Sequence, residues 1–179
     1  MTSLKLYFLG TPRIELDGKP TESDTRKATA LLAYLALTGE PQTRDALAVF
    51  LWPDFGDSRA KAALRRTLSA LKSSIGEKAL SISRESLALQ MDAIWCDALQ
   101  FQHILTNERP EGFNKPNQPN PSGLNSDITQ LETAVTILYR DHFLSGFSLR
   151  DSLPFDEWQR QRPRFYEPPV ELAVDAKKG

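Results

Sequence analysis

Five basic residues and a single acid fall within residues 57–76, DSRAKAALRRTLSALKSSIG. Leu64, Leu68, Leu71 and Ile75 recur at steps of four, three and four, which is one apolar stripe of a helix. Arg59, Arg65, Arg66 and Lys72 fall off that stripe with Ser69 and Ser73 among them, and Lys61 sits at its margin. Guanidinium and ammonium groups neutralise phosphates, and arginine, lysine and serine side chains donate to base edges. Such a face suits a nucleic-acid groove. The same residues would also serve a plain solvated helix face, so the charge run alone decides little.

Two smaller features could extend that surface. Arg84 falls at the tip of an expected two-stranded ribbon, where an arginine can enter a minor groove or hold a phosphate. Its plainer alternative is an exposed turn residue paired with Glu85. Thr43 and Arg44 open a short helix, and helix N-termini favour anions. There the plainer alternative is a simple cap.

Other chemistries find no footing. His103 and His142 have no cysteine, histidine or carboxylate at metal-ligand spacing, so no metal is expected. Asp156-Glu157 reads as a surface helix turn. A glycine-rich phosphate loop, a nucleophile elbow and a paired-cysteine motif are all missing from the sequence. No catalytic residue, no cofactor and no enzyme activity are therefore expected.

The chain has 179 residues and a formal net charge of −1, enough for one good-sized domain or one plus part of another. No apolar run approaches the ~20 residues of a membrane span. The first residues alternate apolar and polar and do not read as a signal peptide. The single cysteine, Cys96, excludes an internal disulfide and fits a reducing cytoplasm. Charge is unevenly placed. Residues 26–75 carry eight basic and four acidic side chains, whereas 127–179 carry seven and nine. A local basic patch on a near-neutral chain points to one binding face.

The elements that would position these residues follow from periodicity and breakers. Leu4, Leu6 and Phe8 alternate with Lys5 and Tyr7 as a half-buried strand. Ile14 and Leu16 make a second, ended by the hairpin signal Asp17-Gly18, with a short extended piece near Pro20. Arg26 to Leu37 is helical, capped by Asp24 or Thr25 and stopped by Gly39. Thr43 caps a short helix to Leu51, with Asp45 in its first turn. Trp52-Pro53 ends it. A loop follows, then the basic helix, capped by Asp57 or Ser58 and closed by Gly76. Leu80, Ile82, Leu87 and Leu89 make the ribbon. Ile94-Trp95 adds a strand segment, and Asp97 to Leu105 a short helix.

Asn107 to Ser126, with four prolines among polar residues, reads as a linker or long loop. Asp127–Tyr139 and Pro154–Phe165 regain helical periodicity, Phe143 to Phe147 is an apolar turn, and Val170 to Val174 can start another helix. Phe50, Trp52, Phe55, Trp95, Phe101, Phe143, Phe147 and Trp158 read as packing residues. Strands, three helices and a hairpin in about 105 residues match an α+β winged helix-turn-helix: a small N-terminal antiparallel sheet, a three-helix core and a C-terminal β-hairpin wing.

The segments LKLYFLGTPRIELDGKP, TRKATALLAYLALTGEPQTRDALAVFLWPD and SRAKAALRRTLSALKSSIG resemble the winged-helix domain of the antibiotic-regulatory-protein (SARP) type of bacterial transcription regulator, of the OmpR-like class. The resemblance runs from about Leu4 to about Leu105. LETAVTILYRDHFLSGF and PFDEWQRQRPRF are similar to the start of the bacterial transcriptional activator domain, an all-α, tetratricopeptide-like (TPR-like) module. About 50 residues remain for it, fewer than its several helix pairs need. The resemblance implies three parts: a DNA-binding domain over 1–105, a Pro/Asn-rich linker over 106–126 and a partial helical segment over 127–179. It implies that the third helix enters the major groove of double-stranded DNA and the wing the minor groove. Arg59, Lys61, Arg65, Arg66, Ser69, Lys72 and Arg84 would inherit DNA contact. The loop Pro53, Asp54, Phe55, Gly56 and Asp57 would face RNA polymerase, and a homodimer would bind direct repeats. The rival expectation, from another class, is a protein-interaction module of a larger signalling protein that has lost sequence-specific DNA binding.

Overall fold

The computed structural model describes residues 4–22, 25–106 and 138–162, without the side chains of 104–106. The chain opens with strands β1 (Leu4–Tyr7), β2 (Arg13–Leu16) and β3 (Lys19–Thr21). Asp17 and Gly18 both take positive φ, at 52° and 77°, the backbone that a tight hairpin between β2 and β3 needs and that an Asp-Gly pair tolerates. Helix α1 (Arg26–Thr38) begins at Thr25, whose hydroxyl accepts the Ala28 N–H at 3.2 Å, and ends at the left-handed Gly39. Strand β4 (Gln42–Thr43) runs into α2 (Arg44–Leu51), and α3 (Asp57–Ile75) follows a short loop. Strands β5 (Leu80–Ile82) and β6 (Ser86–Leu89) form the ribbon, β7 (Ile94–Cys96) follows, then α4 (Asp97–Thr106). Helix α5 (Leu153–Gln161) completes the described elements, and residues 163–165 of the expected Pro154–Phe165 span lie outside them.

Two sheets differ from the expected layout. The first has the order β3-β2-β1-β7, and β7 pairs with β1 in parallel, Leu6 opposite Cys96. It is therefore mixed, not purely antiparallel. The physical reason is the length of the connection: three helices and the ribbon separate β1 from β7, so the chain can return to the same end of the sheet. The second sheet has the order β4-β6-β5, because Gln42 and Thr43 pair with Leu87 and Ser86. The expected two-stranded ribbon thus gains a third, very short strand. A further correction concerns α3, whose N-cap is Gly56, with no side-chain cap from Asp57 or Ser58.

Helices α1, α2 and α3 pack against one another, and their apolar faces join the sheet residues in one core. Leu64, Leu68, Leu71 and Ile75 are all buried, as the periodicity requires, and Ala60, Ala63 and Thr67 widen the buried face. Truncating any of those large side chains would cost about 2–5 kcal/mol. Trp52, Phe101 and Phe143 are buried, whereas Phe50, Phe55, Trp95, Phe147 and Trp158 are half-buried at its margin.

Residues 138–162 share this core through Phe143, Leu144, Leu149 and Phe155. The Leu144 N–H donates to the Phe8 carbonyl at 2.7 Å, and the Gly10 N–H to the His142 carbonyl at 3.1 Å. The buried Ser152 hydroxyl donates to the Phe50 carbonyl at 2.7 Å, which ties the start of α5 to α2. Tyr34, Phe50, Phe155 and Trp158 stack around that junction at centroid distances of 4.4 to 6.5 Å. The expected linker over 107–126, residues 127–137 of the helix expected over Asp127–Tyr139 and the segment 170–174 lie outside the described residues.

Candidate nucleic-acid interface

The solvent face of α3 alternates small and cationic residues. Ser58, Ser69 and Ser73 are exposed, and so are Arg59, Arg65 and Arg66. Three elements meet beside it. Arg44 from α2, Lys61 and Arg65 from α3 and Arg84 from the ribbon line one concavity of about 500 Å³, together with Asp45, Asp57, Ser58 and Leu64. The expected basic residues of three separate segments therefore converge, although only the helix was strongly marked in the sequence.

The ribbon tip owes its shape to serine and not to glycine. The Ser83 N–H donates to the Ser86 carbonyl at 2.9 Å, while the Ser83 hydroxyl accepts the N–H of Ser86 at 2.8 Å and of Glu85 at 3.2 Å. Arg84 is thereby held at the exposed tip. Among the described residues, Arg65, Arg66 and Arg84 make no hydrogen bond or ion pair. Unengaged cations on a surface need no rearrangement to meet an anion.

The remaining candidates are partly committed within the protein. Arg44 sends its backbone N–H to the Glu85 carbonyl at 2.9 Å and its guanidinium to the Ser83 carbonyl at 3.3 Å. Thr43 accepts the Ala46 N–H at 3.2 Å, so two donors at the start of α2 already have partners. Arg59 lies over the Phe55 ring at 4.0 Å, tethering the loop to α3. Lys72 pairs with Glu77 at 3.6 Å, and the Ser69 carbonyl accepts the Ser73 hydroxyl at 3.2 Å. Lys61 lies 3.1 Å from both Asp45 and Asp57. Hydrogen bonds to Asp45, then Asp57, raise its pKa, so it stays charged. Asp45 was foreseen only as a favourable charge at a helix start; the α2–α3 contact that makes it a partner of Lys61 is long-range and left no local signal.

In the loop before α3, Pro53, Asp54, Gly56 and Asp57 are exposed and Phe55 is half-buried, with its N–H on the Trp52 carbonyl at 3.1 Å. Outside this face sits a buried carboxylate that no local sequence signal marks. Asp97 accepts the N–H groups of Phe8 at 2.7 Å, Leu9 at 3.1 Å and Ala98 at 2.7 Å. Arg140 approaches it at 3.7 Å. Burial pushes its carboxyl upward, against the pull of those donors and of Arg140. Its position at a helix start was the only available cue, and that cue says nothing of β1. Among the described residues, no group of three or more His, Cys, Asp or Glu side chains is placed to hold a metal ion. No helix among them is long and apolar enough to cross a membrane.

The class these elements define is a mixed α+β protein with two small sheets and a helical layer, one helix of which bears a cationic face. No family model matches the chain, and no curated protein matches it. Among solved structures it is similar to Mycobacterium tuberculosis EmbR in complex with a low affinity phosphopeptide, with a TM-score of 0.63 and 20% identity. The likeness covers 99% of this chain and 44% of that one, so the chain spans less than half of its neighbour's length. At this identity it is the fold that the two share.

Proposed function

We propose that the chain is a DNA-binding transcription regulator of the antibiotic-regulatory-protein type, built as an OmpR-like winged helix. In this reading α2 and α3 are the helix-turn-helix pair, and β5 and β6 are the wing. α3 enters the major groove, and Arg84 at the wing tip reaches the adjacent minor groove. Residues 1–105 are the DNA-binding domain, 106–126 a linker and 127–179 part of a helical regulatory module, of which 138–162 pack into the domain's own core. Ser69 and the arginines of α3 face bases and phosphates. Thr43 and Arg44 meet the backbone beside the wing. The loop from Pro53 to Asp57 offers an exposed surface to RNA polymerase, and two copies occupy direct repeats.

The observation that carries this reading is the meeting of Arg44, Arg65 and Arg84, from three elements, around one concavity on the exposed side of α3. Phosphates attract several cations arranged on one face far more than cations scattered over a surface. Selection of bound duplexes from a random pool, followed by a salt titration on the enriched sequence, tests it. Enrichment of one sequence and a steep fall of affinity with salt are expected. A protein-interaction module would give weak, sequence-blind binding, and that outcome would overturn the proposal.

A further inference from the structure

Lys61 lines the concavity but differs from the arginines that share it. Its ammonium lies 3.1 Å from Asp45 of α2 and 3.1 Å from Asp57, one turn earlier on α3. Arg65 and Arg84 line the same concavity and, among the described residues, have no ion-pair partner. We propose that Lys61 is a positioning residue of the DNA interface: it ties the first turn of α2 to the first turn of α3, sets how α3 is presented, and contacts no phosphate itself. This inference rests on the DNA-binding reading above.

The charge arithmetic supports the division of labour. Two carboxylates against one ammonium leave the immediate surroundings of Lys61 net negative. A phosphate approaching Lys61 would have to come close to both carboxylates, whose repulsion opposes its attraction to the lysine. The ammonium has three donors, and two already point at carboxylate acceptors. Arg65 and Arg84, among the described residues, attract phosphate with no carboxylate partner to oppose it. Phosphates are thus steered to the two arginines and away from the lysine. The two acids also sit in the first turns of helices, where the dipole favours a negative charge. An exposed ion pair adds little to stability, so the consequence falls on geometry at the interface and not on folding.

The test is a set of salt titrations on the duplex enriched by selection, using the full chain. Arg65→Ala should lower the slope of log affinity against log salt by about one unit, the loss of one phosphate contact. Lys61→Met should weaken binding several-fold and leave the slope unchanged. In the Asp45→Asn, Asp57→Asn background the ammonium is released, and adding Lys61→Met there should now lower the slope by about one unit. Where Lys61→Met fails to fold by circular dichroism, Lys61→Gln is read in the same way. A slope lowered by about one unit in the otherwise native chain would make Lys61 a phosphate contact and overturn the inference. Unchanged affinity and slope would remove its positioning role and overturn it equally. Failure of the native chain to enrich any duplex is a separate result that removes the functional reading first.

Discussion

The guanidinium of Arg44 donates to the Ser83 carbonyl at 3.3 Å, and the Arg44 N–H donates to the Glu85 carbonyl at 2.9 Å. The start of α2 and the ribbon tip are therefore one mechanical unit, with Arg84 standing on it. Two substitutions separate anchoring from contact. Arg84→Ala removes an exposed side chain and should change stability by less than about 0.5 kcal/mol. It should still weaken DNA binding and lower the salt slope by about one unit. Arg44→Ala keeps the backbone bond but frees the tip from the side chain, so it should lower affinity and also destabilise by about 1 kcal/mol. Urea unfolding beside the salt titration reads both effects. Equal stability losses for the two variants would contradict the assignment.

Arg65 and Arg66 are exposed and, among the described residues, make no ion pair. The double variant Arg65→Ala, Arg66→Ala should fold with unchanged stability, since alanine is the better helix former and no contact is lost. DNA affinity should fall steeply, and the salt slope by about one unit for each phosphate contact removed. Binding by gel shift at low and moderate salt suffices to check this. Retention of native affinity at both would place α3 elsewhere.

What the sequence revealed and what it hid divides by range. The face of α3 could be read because helical spacing is local: Leu64, Leu68, Leu71 and Ile75 are buried where their period puts them. The caps at Thr25 and Gly39 and the hairpin at Asp17-Gly18 were readable for the same reason. Pairings that span the chain left no such trace. β7 joins β1 in parallel across some ninety residues, and Gln42 meets Leu87 from another part of the fold. The candidate site shows the same split. Arg65 was visible from its own helix, whereas Asp45 and Ser83 became partners of Lys61 and Arg44 only through packing.

Asp97 binds three backbone N–H groups, of Phe8, Leu9 and Ala98, with both carboxylate oxygens in use. Asp97→Asn keeps the shape but turns one oxygen into an amide donor. The Phe8 and Ala98 bonds share one oxygen, so the amide group would face the Leu9 N–H, or else both of the others. A buried donor would be left without an acceptor, at a cost of about 1–3 kcal/mol. The midpoint of urea unfolding should fall accordingly. The link between β1 and residues 140–144 should also loosen, with faster hydrogen exchange at Leu9 and Leu144. An unshifted midpoint would show that water supplies the missing acceptor.

Cys96 pairs with Leu6 across the two parallel strands and is buried. Burial pushes its thiol up to about 12 from an ordinary value of 9.0. The folded-state value lies above the unfolded one, so the thiol's contribution to stability is fully present below about pH 9. It is lost as pH rises toward 12, because the unfolded chain releases a proton that the folded chain keeps. Over that window the native chain should lose stability faster than Cys96→Ala, by about 1.4 kcal/mol for each pH unit. The alanine variant starts lower, since it leaves a small cavity, but the offset does not depend on pH. The two stability curves should therefore converge as pH rises from 9. The same burial should make Cys96 inert to iodoacetamide at pH 8 until the chain unfolds, after which alkylation becomes rapid. Parallel stability curves together with fast labelling of the native chain would show that the thiol is open to water, and with it the edge where β7 joins β1.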